Sequence, residues 1–185
     1  MGKSHDLATL SDDGISNLKV DTIKSTGGTT AMTVDSSGRV LRSVLPAWRV
    51  GLSSNQSETS AGTFKVEFDK HDTENCFLQG GVTLSSGTIT VPVAGLYTCG
   101  STIRVDNVSG SYYIISYIRK NQAVDGSSDS YVIVDDHGTN YHSLTNTDLY
   151  QCAANDQLEC YIYVQADTSW DLEAHTCHFN GYLVG

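Results

Sequence analysis

Cations are what this sequence has least of. Its 185 residues carry 11 Lys and Arg against 21 Asp and Glu, a formal net charge of −10, and no run of Lys or Arg occurs. Phosphate contacts need clustered cations, so nucleic acid is excluded as a partner, as is a position facing a packaged genome or an anionic bilayer. Long apolar runs are missing too. Nothing approaches the roughly 18 apolar residues of a membrane span, which predicts no membrane insertion. The opening "MGKSHDLATL" has one lysine and no apolar stretch, and reads as no secretory signal. Only two prolines occur, which leaves no proline-rich linker. The five cysteines, at 76, 99, 152, 160 and 177, are odd in number and include no CxxC pair. Cys160 alternates with Leu158, Ile162 and Val164, as a small buried hydrophobe on a strand's inner face would. All five are expected to be reduced, as in a protein assembled in cytoplasm.

What is present is strand and turn material: 17 Gly, 10 Tyr and only 17% charged residues, without helical periodicity. The length allows one domain with an appendage. Residues 7 to 43 hold short alternating pieces ("LKVDTIKS", "TAMTVDS", "RVLRS") broken by Asp-Gly, Gly-Gly and Ser-Gly. Each buries too little to fold alone, and would gain stability when copies from several chains wrap round one axis. Residues 1–43 therefore read as a docking segment and β-rich stalk. From Val44 onward the pieces lengthen: "PAWRVGL", "TFKVEF", "CFLQGGVTL", "GTITVPV", "GLYTCGSTIRV", "SYYIISYIRK", "SYVIVDD", "TNYHSLTNTDLYQC", "DQLECYIYVQA" and "CHFNGYLVG". About ten strands with two-residue alternation and polar turns predict an all-β head over 44–185. Two packed antiparallel sheets are expected, with a jelly roll as the architecture of first choice.

Within "TVPVAGLYTCGSTIRV", Pro92 removes a ladder donor and Gly95 permits a turn, so residues 92–95 read as a corner between two strands. That corner also belongs to a larger pattern. "LPAWRVGL", "TVPVAGLY", "YIRKNQ", "ANDQLECYIYV" and "FNGYLVG" follow one another in an order that resembles the globular head of the complement first-component q subunit and its tumour-necrosis-factor-like relatives. The resemblance covers about residues 44 to 185. It is sharpest at Pro92, Gly95 and Tyr97, and at Phe179, Gly181 and Tyr182, while Cys99 stands where the family more often has an aromatic. It implies a homotrimer, a core position for Tyr97, and a last strand near the three-fold axis.

The upstream "VDTIKSTGGTTAMTVDSSGRVL" resembles stretches that precede such heads in tail-fibre and head-fibre proteins of tailed bacteriophages. The absence of a collagen-like Gly-x-y tract points the same way. The two resemblances together imply a non-enzymatic virion protein, assembled in the host cytoplasm and displayed on the virion surface as a trimeric head fibre or capsid decoration. Its amino-terminal segment would dock on capsid or tail proteins through Leu7, Leu10, Ile15 and Leu18. The head would face outward toward a host surface glycan or protein. A tail fibre, a receptor-binding protein and a soluble lectin-like adhesin are the alternatives.

Other candidate chemistry is thinner. "EAHTCHF" brings His175, Cys177 and His178 together, and imidazole with thiolate suits zinc. On a strand, however, His178 would face away from the other two, so ordinary surface or interface histidines are favoured and no cofactor is expected. The acidic pairs at 12–13 and 135–136, and Asp69, Asp72 and Glu74, follow no calcium-loop spacing. No GxSxG elbow occurs, and His71, His137 and His142 read as loop residues. The tyrosines suit a sandwich core, a subunit interface or a sugar-contact surface. Tyr161 and Tyr163, opposite Cys160 and Ile162, are the pair expected at a trimer interface.

Overall fold

The computed structural model describes residues 22–24, 26–28, 30–42, 45–73, 75–108, 112–122, 130–136, 141–165 and 169–184. Among them every regular element is a strand, and every ladder between strands is antiparallel. The chain divides into two units, Met1–Ser43 and Val44–Gly185.

In the first unit β1 (Thr22–Lys24), β2 (Thr30–Val34) and β3 (Val40–Leu41) form a sheet in that order. Asp35 closes the β2–β3 turn. Its carboxylate accepts the backbone N–H groups of Ser37 and Arg39 at 2.9 Å and the Arg39 guanidinium at 2.7 Å. Those bonds, from Arg39 above all, hold the Asp35 carboxyl below its usual range. None of the described side chains in this unit is buried: Ile23, Val34 and Val40 stand open to solvent. The docking candidates Leu7, Leu10, Ile15 and Leu18 lie outside the described residues.

The second unit contains two sheets. One runs β5 (Gln56–Glu58), β15 (Trp170–Leu172), β10 (Gly95–Asp106), β16 (His178–Leu183), β4 (Ala47–Gly51), β7 (Phe77–Gln79), with β13 (Tyr141–Cys152) also paired to β10. The other runs β12 (Ser130–Asp136), β11 (Tyr112–Lys120), β14 (Gln157–Val164), β9 (Thr88–Thr90), β8 (Thr83–Ser85), with β6 (Gly62–Lys65) also on β14. In both, one long strand organises the sheet. β10 pairs with β13 along its whole length, and divides its other edge between β16 and β15.

Alternation along those strands sends one side-chain set inward. Tyr97, Cys99, Ile103 and Val105 of β10, with Trp48, Val50 and Phe179, meet Ile114, Ile118, Leu158, Cys160 and Ile162 of the other sheet, all of them buried. Trp48 packs edge-on to Phe179 at 5.6 Å and lies 6.1 Å from Tyr97. The Tyr150 hydroxyl donates to the Ile118 carbonyl at 2.6 Å, tying the two sheets together through a buried polar tip.

Three sequence expectations need correction. The piece "CFLQGGVTL" is two strands rather than one, because Gly80 and Gly81 turn the chain at φ 65° and 86°. A Cβ on Gly80 would lie 2.5 Å from the backbone of Leu45 and Pro46, so only glycine fits there. β5 and β15 do not appear in the sequence reading, and with them the described part of this unit has thirteen strands, not ten. His142 lies within β13 rather than in a loop, whereas His137 lies outside the described residues.

All five cysteines are free and buried. Burial pushes the thiols of Cys152 and Cys177 up to about 11, and raises those of Cys99 and Cys160 well above their ordinary range. Native protein should therefore react slowly with thiol reagents, and titration in denaturant without reductant should count five. A count of one would mean two disulfides. Because the folded values exceed the ordinary 9.0, this contribution to stability is complete below pH 9 and is lost as pH rises toward 11. Melting curves recorded between pH 8 and 11 should fall accordingly, and Cys177→Ala should flatten part of the decline.

Candidate functional site: the open face of the larger sheet

Tyr97 sets the geometry of this face at one end. Residues 91–94 join β9 of the smaller sheet to β10 of the larger, and Pro92 lies in that corner. The fully buried Tyr97 reaches back so that its hydroxyl donates to the Val93 carbonyl at 2.9 Å. The corner is thereby fixed to the core, and the positions alternating with Tyr97 along β10 face away from the second sheet.

Register then assembles those outward positions into rows. Leu149, Thr98, Tyr182, Ala47 and Gln79 form one across β13, β10, β16, β4 and β7. Thr147, Gly100, Asn180, Arg49 and Phe77 form the next, and Thr145, Thr102, His178 and Gly51 a third. The centre is small and polar, while large apolar groups rise around it. Leu149 and Tyr182 are each 55% exposed and Phe77 44%. Tyr182 separates two hollows. One, of about 250 Å³, is bounded by Thr98, Thr102, Thr147, His178 and Asn180. The other, of about 370 Å³, is bounded by Trp48, Arg49, Phe77 and Gly181. Gly100 keeps the first floor open, since a Cβ there would come within 3.3 Å of Thr147 Oγ1.

The residues named from the end of the sequence divide by parity. Phe179 and Gly181 point into the sandwich, and a Cβ on Gly181 would lie 2.3 Å from Trp48 Cζ2. Tyr182 points out. His178 lies half-buried on the open face with Nδ1 3.1 Å from the Thr176 carbonyl, and burial together with the Arg49 cation holds its imidazole below the usual range. His175 is exposed in the turn at 174–176, and Cys177 turns inward. The expected alternation over "HTCH" is thus corrected, because the strand begins only at His178. Among the described residues no cluster of three or more His, Cys, Asp or Glu side chains could hold a metal ion.

Tyr161 and Tyr163 lie on β14 of the smaller sheet and face away from Tyr182, so the two sets stand on opposite faces of the sandwich with the core between them. Leu149, Thr98, Asn180 and Phe77 are functional candidates that the sequence reading missed. The available signal was Leu149 itself, an apolar residue in phase with Thr145 and Thr147 rather than with Leu144. No family model matches the chain, and no curated protein matches it.

Proposed function

We propose that Val44–Gly185 is a jelly-roll head of the complement and tumour-necrosis-factor type, which trimerises through the open face of the larger sheet. The whole chain is then a non-enzymatic structural protein of a tailed-phage virion, a head fibre or capsid decoration held by its amino-terminal segment. The observation that carries this reading is the open face, where Leu149, Tyr182 and Phe77 stand around the small polar positions Thr98, Gly100 and Asn180. Several large apolar side chains left about half exposed on one face of a sheet mark that face as a contact surface. Strand order supports the jelly roll. Apart from short additions, the sheets read β4-β16-β10-β13 and β9-β14-β11-β12, and the chain crosses between sheets repeatedly, as two Greek keys require. The placement on a virion follows from the resemblance of residues 20–41 to the stretches preceding phage fibre heads.

Light scattering on the purified chain should give about three times its 19.9 kDa mass. A stable monomer at micromolar concentration would overturn the assembly reading. Removing residues 1–20 should leave that trimer intact but abolish its incorporation into particles, measured as occupancy on purified virions. Normal occupancy of the truncated protein would instead place the particle contact on the head.

A further inference from the structure

The smaller sheet has an outward face of different chemistry. On β11 it presents Tyr113, Ile115, Tyr117 and Arg119, and on β14 it presents Glu159, Tyr161 and Tyr163, with Tyr117 set opposite Tyr161 and Arg119 opposite Glu159. The Tyr113 and Tyr163 rings stack at 5.2 Å and 23°, and their hydroxyls are 3.5 Å apart. The Arg119 guanidinium lies 4.9 Å from the Tyr117 ring and 4.7 Å from the Tyr161 ring, so it spans both. Below it the Glu159 carboxylate is fully buried, accepting from Thr88 Oγ1 at 2.7 Å and from the Tyr161 hydroxyl at 3.3 Å, with Lys65 Nζ at 3.7 Å.

None of these groups is needed to fill the core, which Ile114, Ile118, Cys160 and Ile162 occupy from the alternate positions. A buried carboxylate is costly unless it is bonded and paired, and this one has its donors in place. Rings fixed by their neighbours lose little freedom when a ligand settles on them. Tyr113 and Tyr163 turn one face toward each other, and the outer faces of the pair suit the apolar side of a pyranose, while the hydroxyls, 3.5 Å apart, can donate or accept and the guanidinium donates. Local charge selects among glycans. Lys65 and Arg119 are balanced by Glu67 and Glu159, on a chain whose net charge is −10, so an acidic polysaccharide meets overall repulsion and no net cation.

We infer that this tyrosine face is a binding platform for a neutral glycan, with a sugar ring resting on the Tyr113–Tyr163 pair and its hydroxyls bonded by Arg119. The inference rests on the assembly reading for its orientation, since a trimer closed through the larger sheet leaves the smaller sheet outward. It also names the surface by which the head would adhere to a host.

The test is affinity electrophoresis of the full chain through native gels containing dextran, mannan or galactan as neutral probes, or alginate as the acidic one. Light scattering is run on the same samples. At least one neutral probe should retard the wild type, and alginate should not. Tyr163→Ser and Arg119→Ser should each weaken the retardation about tenfold, whereas Tyr163→Phe, which keeps the ring and guards against a folding artefact, should retain most of it. Retardation by no neutral probe, by alginate alone, or equally in Tyr163→Ser overturns the platform. A monomer that is still retarded refutes the assembly reading and leaves the platform standing; an unretarded trimer does the reverse. A Tyr163→Ser chain that loses the trimer mass would make this face the self-contact and overturn both.

Discussion

Gly181→Ala should destabilise the head by roughly 3 kcal/mol, the upper part of the range for overpacking a filled core. An alanine in a strand would ordinarily help, because glycine loses more backbone freedom on folding. Here the sign reverses. The added methyl would sit 2.3 Å from Trp48 Cζ2, 2.5 Å from Cη2 and 2.6 Å from the Thr98 carbonyl oxygen. The carbonyl belongs to the central strand of the sheet. The indole is confined by Tyr97 and Phe179, and Trp48 is only 1% exposed. Neither wall can retreat without disturbing β10 or the aromatic cluster. In a unit of this size the loss corresponds to a fall in Tm on the order of 10 °C. Thermal melts followed by near-ultraviolet circular dichroism would record it at the indole itself. A melting point equal to wild type would mean that Trp48 has another place to go, and the packing described for β4 against β16 would be wrong.

The same residue illustrates what the sequence can and cannot disclose. Long strands announce themselves. β10 and β14 each hold four inward apolar positions and β13 three, so a two-residue period is visible and the all-β class follows. Three residues show no period, and β5 and β15 find their pairing only across more than a hundred residues of chain. Their existence is decided by the end of β10, where Val105 and Asp106 offer an edge that β16 does not cover. The Gly80–Gly81 turn was legible in principle as a glycine pair, but its neighbours Phe77, Leu78, Val82 and Leu84 continue the apolar texture on both sides and conceal the break. The open face is harder still. Gly181 and Tyr182 are adjacent in "FNGYLVG" and serve opposite sides of the sheet. Which other residues join Tyr182 depends on register between β13, β10, β16 and β4, a long-range property that no local pattern encodes.

Converting Tyr182 to Glu, alone or with Leu149→Glu, should turn the assembled protein into a folded 19.9 kDa monomer. Thr98 pairs with Leu149 on one side and Tyr182 on the other, so the three share a row, and both flanking side chains are more than half exposed in the single chain. The isolated sandwich therefore loses little when either is replaced, since surface substitutions away from special features shift stability by about 0.5 kcal/mol or less. A contact between copies loses far more. A carboxylate closed into an apolar contact without a partner costs roughly 3 kcal/mol or more, a factor above one hundred in affinity. In a three-fold arrangement the same charge would also recur around the axis and repel its copies. Tyr182→Phe keeps the ring and should keep the oligomer. Sedimentation velocity gives the mass and far-ultraviolet circular dichroism the fold, so monomerisation is distinguished from unfolding. A Tyr182→Glu, Leu149→Glu chain that still sediments at three times its own mass would remove the open face from the assembly, and the proposed trimer would have to close through another surface.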